Sequence, residues 1–340
     1  MAKKATKKAS KKASTRPARK KTSRPTNLTR TNDRIADMID GLIADNDLVP
    51  QALRGTDRYL DIINWNIRYF NGRDLKRVER IARLMSQLNA DIFVLQEIEN
   101  GSLADVAEIL TEMGAGLYKE AYGTTGGDQR VAFLYDMEYV RAKQDIVELF
   151  PDRPRVSQSG RKEIFPRLPL YAEMTGIARP GRGGVEMFDF NLLGLHLKSQ
   201  RADQTGDDGT PQRRMAGERL AAWLREEVGN EPDIIMAGDW NAQADRSEWD
   251  AIRTLERADL ASFVARNPGG EASHFFRSGE GSRLDLVLVT DSAEDNAVDR
   301  TSRVIHWNRA LGDRSQLRAL IETISDHMPV LSRFYFHDRD

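Results

Sequence analysis

The sequence contains no cysteine and no long apolar run. Without cysteine the chain can form no disulfide, no thiolate zinc site and no thiol nucleophile, so a bound metal must be held by oxygen or imidazole ligands. No stretch of about 18 apolar residues predicts a membrane span, and no apolar segment of about seven residues follows the basic N-terminus as in a secretory signal. We therefore expect an intracellular protein that does not span a membrane.

Acidic residues are missing from residues 1–30, which carry eight Lys and four Arg. The remaining residues, 31–340, have 39 basic and 52 acidic side chains and thus a net charge of −13. Lysine pairs recur every four residues between Ala, Ser and Thr, and this lack of apolar groups predicts a disordered tail. The tail resembles those of histone-like proteins, which favours salt-sensitive attachment to nucleic acid. A solubility tail or an address signal is the alternative.

With 340 residues, 40% of them hydrophobic, the chain can form a substantial core in one large domain or two ordinary ones. Just after the tail, apolar residues recur at helical spacing: Ile35, Met38, Ile39, Leu42 and Ile43. We expect a helical lead-in over residues 31–57 and a folded catalytic body over residues 58–338.

The body begins with an alternation of strands and helices. The apolar pattern predicts strands at 59–65 and 91–100 and helices at 75–88 and 103–113. Strands then dominate, at 131–135, 146–150, 170–177, 185–197, 233–237 and 284–290. One helix is predicted over 211–228, with Thr210 as its N-cap and Pro211 at its first position. Many strands flanked by a few helices indicate an α/β protein in which two packed sheets are covered by helices.

Polar residues occur at or near the ends of these strands. They are Asn66, Glu97, His196, Lys198, Asp239, Asn241, Asp285, Asp326 and His327. Taken singly, an Asn or Asp at a strand end is usually a turn former or a helix cap, and a lone His usually has a structural role. Taken together, they indicate an active site. Asp285 lies in an otherwise apolar strand, and an imidazole is the obvious partner for a carboxylate buried there.

These residue types suit the hydrolysis of a phosphate ester. Carboxylate and amide oxygens are ligands for Mg²⁺, with Mn²⁺ or Ca²⁺ as alternatives. A His oriented by a carboxylate can take a proton from water, and a second His can neutralise the leaving oxygen. Asn and Lys donate hydrogen bonds to phosphoryl oxygens. The sequence has no glycine-rich P-loop of the kind found in nucleotide-driven motors.

The chain resembles the endonuclease/exonuclease/phosphatase superfamily over about residues 59–336, because it contains in order the motifs WNIR, QE, HLKS, GDWNA, RLDLVL and SDHMPV. The resemblance implies a four-layer α/β/β/α sandwich with its site at one edge of the paired sheets. It also implies that Glu97 is the main metal ligand, with Asn66 beside it and Asp326 near the metal.

The same resemblance implies roles in proton transfer and phosphate binding. His327 would be the base that activates water, oriented by Asp285, and His196 would act on the other side of the phosphate. Asp239 and Asn241 would position the water, the metal or the phosphoryl oxygens. In some members the Asp of the GDxN motif is the base, so Asp239 is the alternative to His327.

The segment NIRYFNG is similar to the first loop of the secreted deoxyribonucleases of this superfamily. The likeness implies a DNA contact for Arg68 and places Asp128 where an acid orients the first His. Glu99 stands where those enzymes have an Arg that enters the minor groove, and their signal peptide and disulfides are missing here. The chain also shows no clear counterpart of the aromatic abasic pocket in the apurinic-site repair branch. It is therefore not a plain copy of either branch.

Two loops and one further His complete the set of candidates. Residues 151–169 include five basic residues, which either hold a nucleic-acid backbone or form a solvated crossover. Arg167 is the substrate-contact candidate in this loop, beside Lys198 in the HLKS motif. Residues 200–211 form a polar loop that is read as a flap over the site. His274 lies shortly before Asp285, and a structural role is favoured for it over a place near the site.

These features favour a divalent-metal-dependent nuclease, with DNA as the favoured partner. Its basic tail would compensate for the repulsion between an acidic body and nucleic acid. A phosphodiesterase or phosphatase of a small or lipid phosphoester is the alternative within the same fold. A DNA-binding protein with an inactive catalytic fold is the alternative from another class. The sequence leaves open RNA against DNA, the endonuclease or exonuclease mode, and the oligomeric state.

Overall fold

The fold is taken from a computed structural model of the chain. It describes residues 27–157, 160, 162–178, 186–264, 271–298, 302–311 and 314–337. Most of the predicted basic tail, residues 1–26, lies outside the described residues. No helix within the described ranges is long and apolar enough to cross a membrane.

The helices and strands alternate at first and then give way to a run of strands, as the apolar pattern predicts. The helices are α1 (Asn27–Ala44), α2 (Leu75–Leu88), α3 (Ala104–Glu112), α4 (Thr210–Glu227), α5 (Asp250–Glu256), α6 (Asp291–Asp295) and α7 (Arg314–Thr323). The strands are β1 (Leu60–Phe70), β2 (Ile92–Ile98), β3 (Tyr118–Tyr122), β4 (Arg130–Asp136), β5 (Val140–Ala142), β6 (Val147–Glu148), β7 (Leu170–Ala178), β8 (Glu186–His196), β9 (Ile234–Asp239), β10 (Ala261–Phe263), β11 (His274–Phe275), β12 (Gly281–Ser282), β13 (Asp285–Thr290), β14 (Arg303–Val304) and β15 (Val330–Phe334).

The strands form two large mixed sheets and one short hairpin. The first sheet has the order β14-β15-β1-β2-β4-β3, and the second has the order β10-β13-β9-β8-β7-β5, with β6 also paired to β7. Each sheet contains one parallel pair near its middle, β1 with β2 and β8 with β9. The hairpin joins β11 to β12. Because the carboxyl ends of parallel strands meet at one edge, each sheet brings two strand ends together.

Side chains on opposite faces of each strand enter different parts of the core. Phe190 and Leu192 of β8 belong to the larger apolar cluster, which includes residues of the first sheet and of α2, α3 and α7. Leu193 and Leu195 belong to a second cluster with α4 and α5. This alternation puts the two sheets face to face with helices outside each of them. It confirms the predicted α/β class and the α/β/β/α order of layers.

Gly194 of β8 faces the other sheet at close range. A Cβ at this position would lie 2.7 Å from Val131 Cγ1 and 2.8 Å from Phe133 Cε1, both on β4 of the other sheet. Glycine therefore permits a sheet separation that a larger residue would increase.

The predicted helices are found with small changes at their ends. Helix α2 has the predicted bounds and is capped by Asp74, whose side chain accepts hydrogen bonds from the main-chain N–H groups of Lys76 and Arg77. The predicted N-cap of α4 was wrong by one residue. The cap is Gly209, which precedes Thr210. Glycine suits this position because φ is +76° and a Cβ there would lie 2.4 Å from Lys198 Cγ.

Strand β15 was not predicted, although it pairs antiparallel with β1 in the first sheet. Its apolar pattern is interrupted by Arg333, which lies opposite Asp61 of β1 and forms an ion pair with it, with 2.6 Å between Nε and Oδ1. A charged residue within a strand interrupts the apolar pattern, and its ion-pair partner cannot be recognised when it is distant in sequence. The strand is then not predicted. The predicted strand at 146–150 has only the two residues of β6 in the structure.

Candidate active site

The ends of β1, β2, β8 and β9 surround a cleft of about 380 Å³. Predicted site residues that line it are Arg68, Glu97, Arg167, His196, Asp239, Asn241, Asp326 and His327. Asn66 and Asp285 are buried behind this surface and contact it through hydrogen bonds. The structure thus brings together most residues that the motifs predicted, from six separate stretches of sequence.

Asp239 lies at the centre of this group. It is aligned with His196 on the parallel strand β8 and with Asp285 on the antiparallel strand β13. Its Oδ2 lies 3.8 Å from His196 Nε2 and 3.9 Å from His327 Nε2, while its Oδ1 accepts a 2.9 Å hydrogen bond from the Asn241 N–H. Burial, the largest effect, raises the pKa of the Asp239 carboxyl to about 7.

His327 and Asp285 form the buried pair that the sequence predicted. Asp285 Oδ2 lies 2.7 Å from His327 Nδ1. Burial, the largest single effect, disfavours a charged imidazole, but the carboxylates of Asp285, Asp239 and Asp326 together outweigh it and raise the pKa of His327 to about 10. Ser273 Oγ accepts the Asp285 N–H, and Ser325 Oγ accepts the His327 N–H, so main-chain bonds fix both partners.

Asn66 and Glu97 sit beside this pair at the ends of β1 and β2. Asn66 Nδ2 lies 3.2 Å from Asp239 Oδ2 and 3.4 Å from Glu97 Oε1, and its Oδ1 accepts the Arg68 N–H at 2.9 Å. The other carboxylate oxygen of Glu97 accepts the Tyr69 N–H at 3.0 Å. Asn66 therefore presents its nitrogen to both carboxylates, which differs from the oxygen ligand expected from the resemblance.

The main chain of the site is strained at four non-glycine residues. Arg68, Tyr69, Glu97 and Asn241 have φ values of 46°, 47°, 61° and 55°. Such left-handed conformations are uncommon for residues with a Cβ and concentrate at functional sites. At Arg68 and Tyr69, they coincide with a shift in the register between β1 and β2.

Arg77 of α2 holds this strained segment from behind and was not identified from the sequence. Its guanidinium donates to the carbonyls of Ile67, Arg68, Tyr69 and Ile324, with Nη2 at 2.7 Å from Arg68 O and 2.8 Å from Ile324 O. Burial lowers its pKa to about 10, so it stays charged at neutral pH. In a helix with several Arg and Lys residues, no sequence pattern distinguishes this one.

The cations of the cleft differ in their surroundings. Arg68 Nε lies 3.3 Å from Asp326 Oδ2, so these two predicted residues neutralise each other. Arg167 Nη2 donates to Gln129 Oε1 at 2.6 Å, and burial lowers its pKa. Lys198, by contrast, does not line the cleft: β8 ends at His196, and the Lys198 side chain packs against Gly209 at the start of α4.

His196 lacks the carboxylate partner expected at Asp128. The turn at Gly126 and Gly127 leaves Asp128 exposed, and the next residue, Gln129, lines the cleft instead. The buried His196 ring has a main-chain contact at Gln129 instead of a carboxylate partner. Burial, followed by the charges of nearby cations, lowers the pKa of His196 well below its ordinary value.

His274 lies in the cleft, although a structural role was expected for it. Its ring centroid lies 4.6 Å from that of His327 and 4.7 Å from that of Phe276. Burial, followed by the charge of His327, lowers the pKa of His274 to about 4. The hairpin of β11 and β12 brings it to the site, and its short strands gave no signal in the sequence.

The two candidate loops contact each other. Lys162 forms ion pairs with Asp203, at 3.0 Å, and with Asp207, and Arg153 pairs with Glu163 at 2.6 Å. The loop after His196 is thereby tied to the basic loop that precedes β7, and two of the five basic residues are neutralised. Outside these loops, Glu99 likewise pairs with Arg73 at 2.6 Å.

The donor atoms of the cleft suit a hard divalent cation. Glu97 and Asp326 are carboxylates that line it, and Asp239 is a third. No group of three or more His, Asp or Glu residues within the described part of the chain is arranged to hold a metal. Mg²⁺ commonly keeps several waters and binds one or two carboxylates, so Glu97 with one neighbour fits this ion.

Comparisons with known proteins agree with this architecture. Residues 63–327 match the Endonuclease/Exonuclease/phosphatase family. A 5'-tyrosyl-DNA phosphodiesterase of Caenorhabditis elegans is 25% identical over 300 residues, which are 85% of this chain and 70% of the relative. A solved structure of truncated TDP2 from Caenorhabditis elegans has a TM-score of 0.52 at 20% identity and covers 84% of this chain and 100% of its own. The solved structure of an endonuclease/exonuclease/phosphatase from Bacteroides vulgatus has a TM-score of 0.55 at 16% identity. The match covers 82% of this chain and 99% of the Bacteroides chain.

Two mixed sheets between helices, with acid, amide and imidazole groups at one edge, define an α/β sandwich hydrolase. The chain belongs to the endonuclease/exonuclease/phosphatase family, since the match covers most of its length. This confirms the predicted family and the predicted enzyme class, a phosphodiesterase, in a family whose members generally use divalent metals.

Proposed function

We propose that the chain hydrolyses phosphodiester bonds in nucleic acid, with DNA favoured and Mg²⁺ as the cation. The observation that carries the proposal is the position of Asp239 Oδ2, which lies within 4 Å of both imidazoles at 3.8 and 3.9 Å. Asn66 joins this carboxylate to Glu97 in the same cleft. The name of the nematode relative, a DNA phosphodiesterase, supports DNA over other phosphoesters.

Each cleft residue has a distinct part in the proposed reaction. Glu97, with Asp326, would hold the cation, which when bound neutralises charge on the phosphoryl oxygens. Asp239 accepts the proton of the attacking water, because Asn66 and Asn241 fix its two oxygens beside the cleft. His327, charged and held by Asp285, donates to a phosphoryl oxygen.

The remaining groups concern the substrate. Arg167 and Arg68 line the cleft, where their guanidinium groups can contact phosphate oxygens. His196 faces Asp239 from the other side and is placed to contact the leaving oxygen. Residues 58–338 act as the catalytic unit in this proposal, and the basic residues 1–30 attach it to nucleic acid.

The test follows the cleavage of supercoiled plasmid by the purified chain, with and without Mg²⁺. His327→Ala removes the imidazole of the buried pair, and His337→Ala removes an exposed imidazole as a matched control. We expect the wild type and His337→Ala to nick the plasmid only when Mg²⁺ is present. His327→Ala should not nick it. An oligonucleotide with a 5'-phosphotyrosyl group, an RNA strand and a small phosphodiester are assayed in parallel.

The outcomes separate the site from the substrate. Equal nicking by wild type and His327→Ala would exclude the proposed cleft as the catalytic site. Hydrolysis of only the small phosphodiester, dependent on His327, would keep the cleft and reject nucleic acid as the substrate.

A further inference from the structure

Within the described residues, large exposed aromatic side chains occur at one place. The large apolar side chains exposed in the described part of the chain are Tyr69, Leu75, Met113, Leu117, Met137, Val147, Met187 and Phe276. Two of these carry aromatic rings, Tyr69 at 59% and Phe276 at 51% exposure, and both line the catalytic cleft. An exposed ring is costly in water, so two at one site indicate a ligand with flat apolar faces.

The structure holds Tyr69 at the cleft through its main chain. Its N–H donates to Glu97 Oε2 at 3.0 Å, its carbonyl accepts from Arg77, and its φ of 47° departs from the common conformations. More than half of the surface of Tyr69 faces solvent, so the ring is accessible to a ligand. Strain at an exposed aromatic residue is retained where the exposed position is useful.

Phe276, which also lines the cleft, is likewise held by main-chain hydrogen bonds. Its N–H donates to Glu280 O and its carbonyl accepts from the Gly279 N–H, both at 2.8 Å, which closes the turn between β11 and β12. Its ring meets the His274 ring edge to face, with an interplanar angle of 89°. About half of Phe276 is exposed, so the ring can contact a ligand while His274 fixes its orientation.

The cleft also presents guanidinium groups, Arg68, Arg167 and Arg201. Cations that contact phosphates, interleaved with exposed rings, are the combination that binds single-stranded nucleic acid, because every base has a face that can stack. Bases within a duplex are already stacked on their neighbours and cannot reach such rings without unpairing.

We propose that Tyr69 and Phe276 are stacking platforms for unpaired nucleobases next to the bond that is cut. This inference rests on the proposed function and names its substrate class: single strands and frayed or overhanging ends, in preference to the interior of a duplex.

The test measures the binding of the full chain to two fluorescent single strands, without metal so that nothing is cut. One strand carries ordinary bases, and the other has the same phosphates with abasic residues at its centre. Because the basic tail contacts phosphates, it contributes equally to both strands. The variants are Tyr69→Ala, Phe276→Ala, the ring-retaining Tyr69→Phe and, as a matched exposed control away from the cleft, Met187→Ala.

We expect each of the two aromatic-to-Ala changes to raise the Kd for the ordinary strand roughly tenfold and to leave the abasic strand unchanged. Tyr69→Phe and Met187→Ala should bind like the wild type. Unchanged binding of the ordinary strand by both Ala variants overturns the inference, and so does an equal loss on both strands. Cleavage of the ordinary strand with Mg²⁺ is scored separately, so a wild type that shows ring-dependent binding without cleavage contradicts the proposed function alone.

Discussion

Charged side chains in the cleft occur in compensating groups. Asp285 faces His327 at 2.7 Å, Asp326 faces Arg68 at 3.3 Å, and Asp239 receives hydrogen bonds from Asn66 and Asn241. Removing one member of a buried pair leaves the other without compensation, which costs more than the pair itself contributes. Substitutions that keep the shape of a residue and change its charge are therefore the most informative about the charged groups of the cleft.

Asp285→Asn keeps the shape of the side chain and removes its charge. We expect kcat on a single-stranded oligonucleotide to fall on the order of 10²- to 10⁴-fold, because His327 is no longer stabilised as a cation. Asp291→Asn, at the other end of β13 and exposed, is the control and should keep wild-type kcat. A kcat within twofold of wild type for Asp285→Asn would show that the pair takes no part in turnover.

The same pair predicts how stability depends on pH in the metal-free chain. The folded-state pKa of His327, about 10, is raised above the ordinary value of 6.5 for His. The stabilisation from a raised pKa is fully present below pH 6.5 and is lost as the pH rises through about 10. In urea unfolding between pH 6 and 10, the stability advantage of wild type over His327→Gln should therefore shrink. An advantage that stays constant over this range would contradict the expected linkage.

Individual site residues differ in how well their positions could be predicted from the sequence. The buried Asp285 indicated an imidazole partner, because an unpaired carboxylate in an apolar strand is costly, and the structure supplies His327. Asp128 and Lys198 were misplaced because a turn and a strand end rotate side chains in ways that spacing does not encode. For His274 a structural role was favoured over a place near the site, and Phe276 was missed, because the positions of both depend on a hairpin with two-residue strands.

At the scale of elements, α2 supports the site from outside the cleft. Its Arg77 joins the segment after Asn66 to the residue Ile324, which precedes the loop with Asp326 and His327. One guanidinium thus sets the distance between two loops that carry site residues. The strained φ angles of Arg68 and Tyr69 persist because their carbonyls have this partner.

Arg77→Met removes these hydrogen bonds while keeping an apolar stem of similar length. We expect kcat/KM to fall about 10²-fold, mostly through kcat, since a small displacement of site residues costs this much. Arg77→Lys should recover part of the loss, because an ammonium can donate to some of the carbonyls. The control is Arg83→Met on the same helix, where the exposed Arg83 pairs with Glu79 and should not affect kinetics. Normal kinetics in a destabilised Arg77→Met chain would reduce Arg77 to a purely structural role.

Elements with local signals were predicted well, and elements that depend on distant partners were not. Helix α2 has its predicted bounds because a period of 3.6 residues and an Asp cap are both local. Strand β15 was overlooked because Arg333 is acceptable there only beside Asp61, far away in sequence. The site also depends on the parallel pairs β1 with β2 and β8 with β9, because they bring its residues to one edge. The register between strands that are distant in sequence cannot be predicted from a single sequence.

At the scale of the whole molecule, charge is divided between two parts of the chain. Residues 1–30 carry twelve cations, while residues 31–340 have a net charge of −13. An acidic body repels a polyanion at long range, and the tail supplies attraction that depends strongly on salt. In the proposed function, the tail therefore governs encounter and the cleft governs turnover.

Deleting residues 1–26 removes eleven cations and keeps α1 complete. We expect weaker binding to long single strands and a shallower dependence of log K on log salt, by roughly 0.7 for each phosphate that the tail no longer neutralises. The kcat at saturating substrate should not change. A full-length chain with the eight Lys and three Arg of residues 1–26 changed to Gln separates charge from length and should behave like the deletion. An unchanged salt slope would exclude the tail from nucleic-acid binding.

The pairing of β15 with β1 has a consequence for the order of biosynthesis. His327 immediately precedes this strand, so a nascent chain on the ribosome carries its basic residues and Asp285 well before it has the imidazole that completes the pair. In the proposed function, a nascent chain can therefore cut only after residue 327 has emerged from the ribosome and β15 has folded against β1.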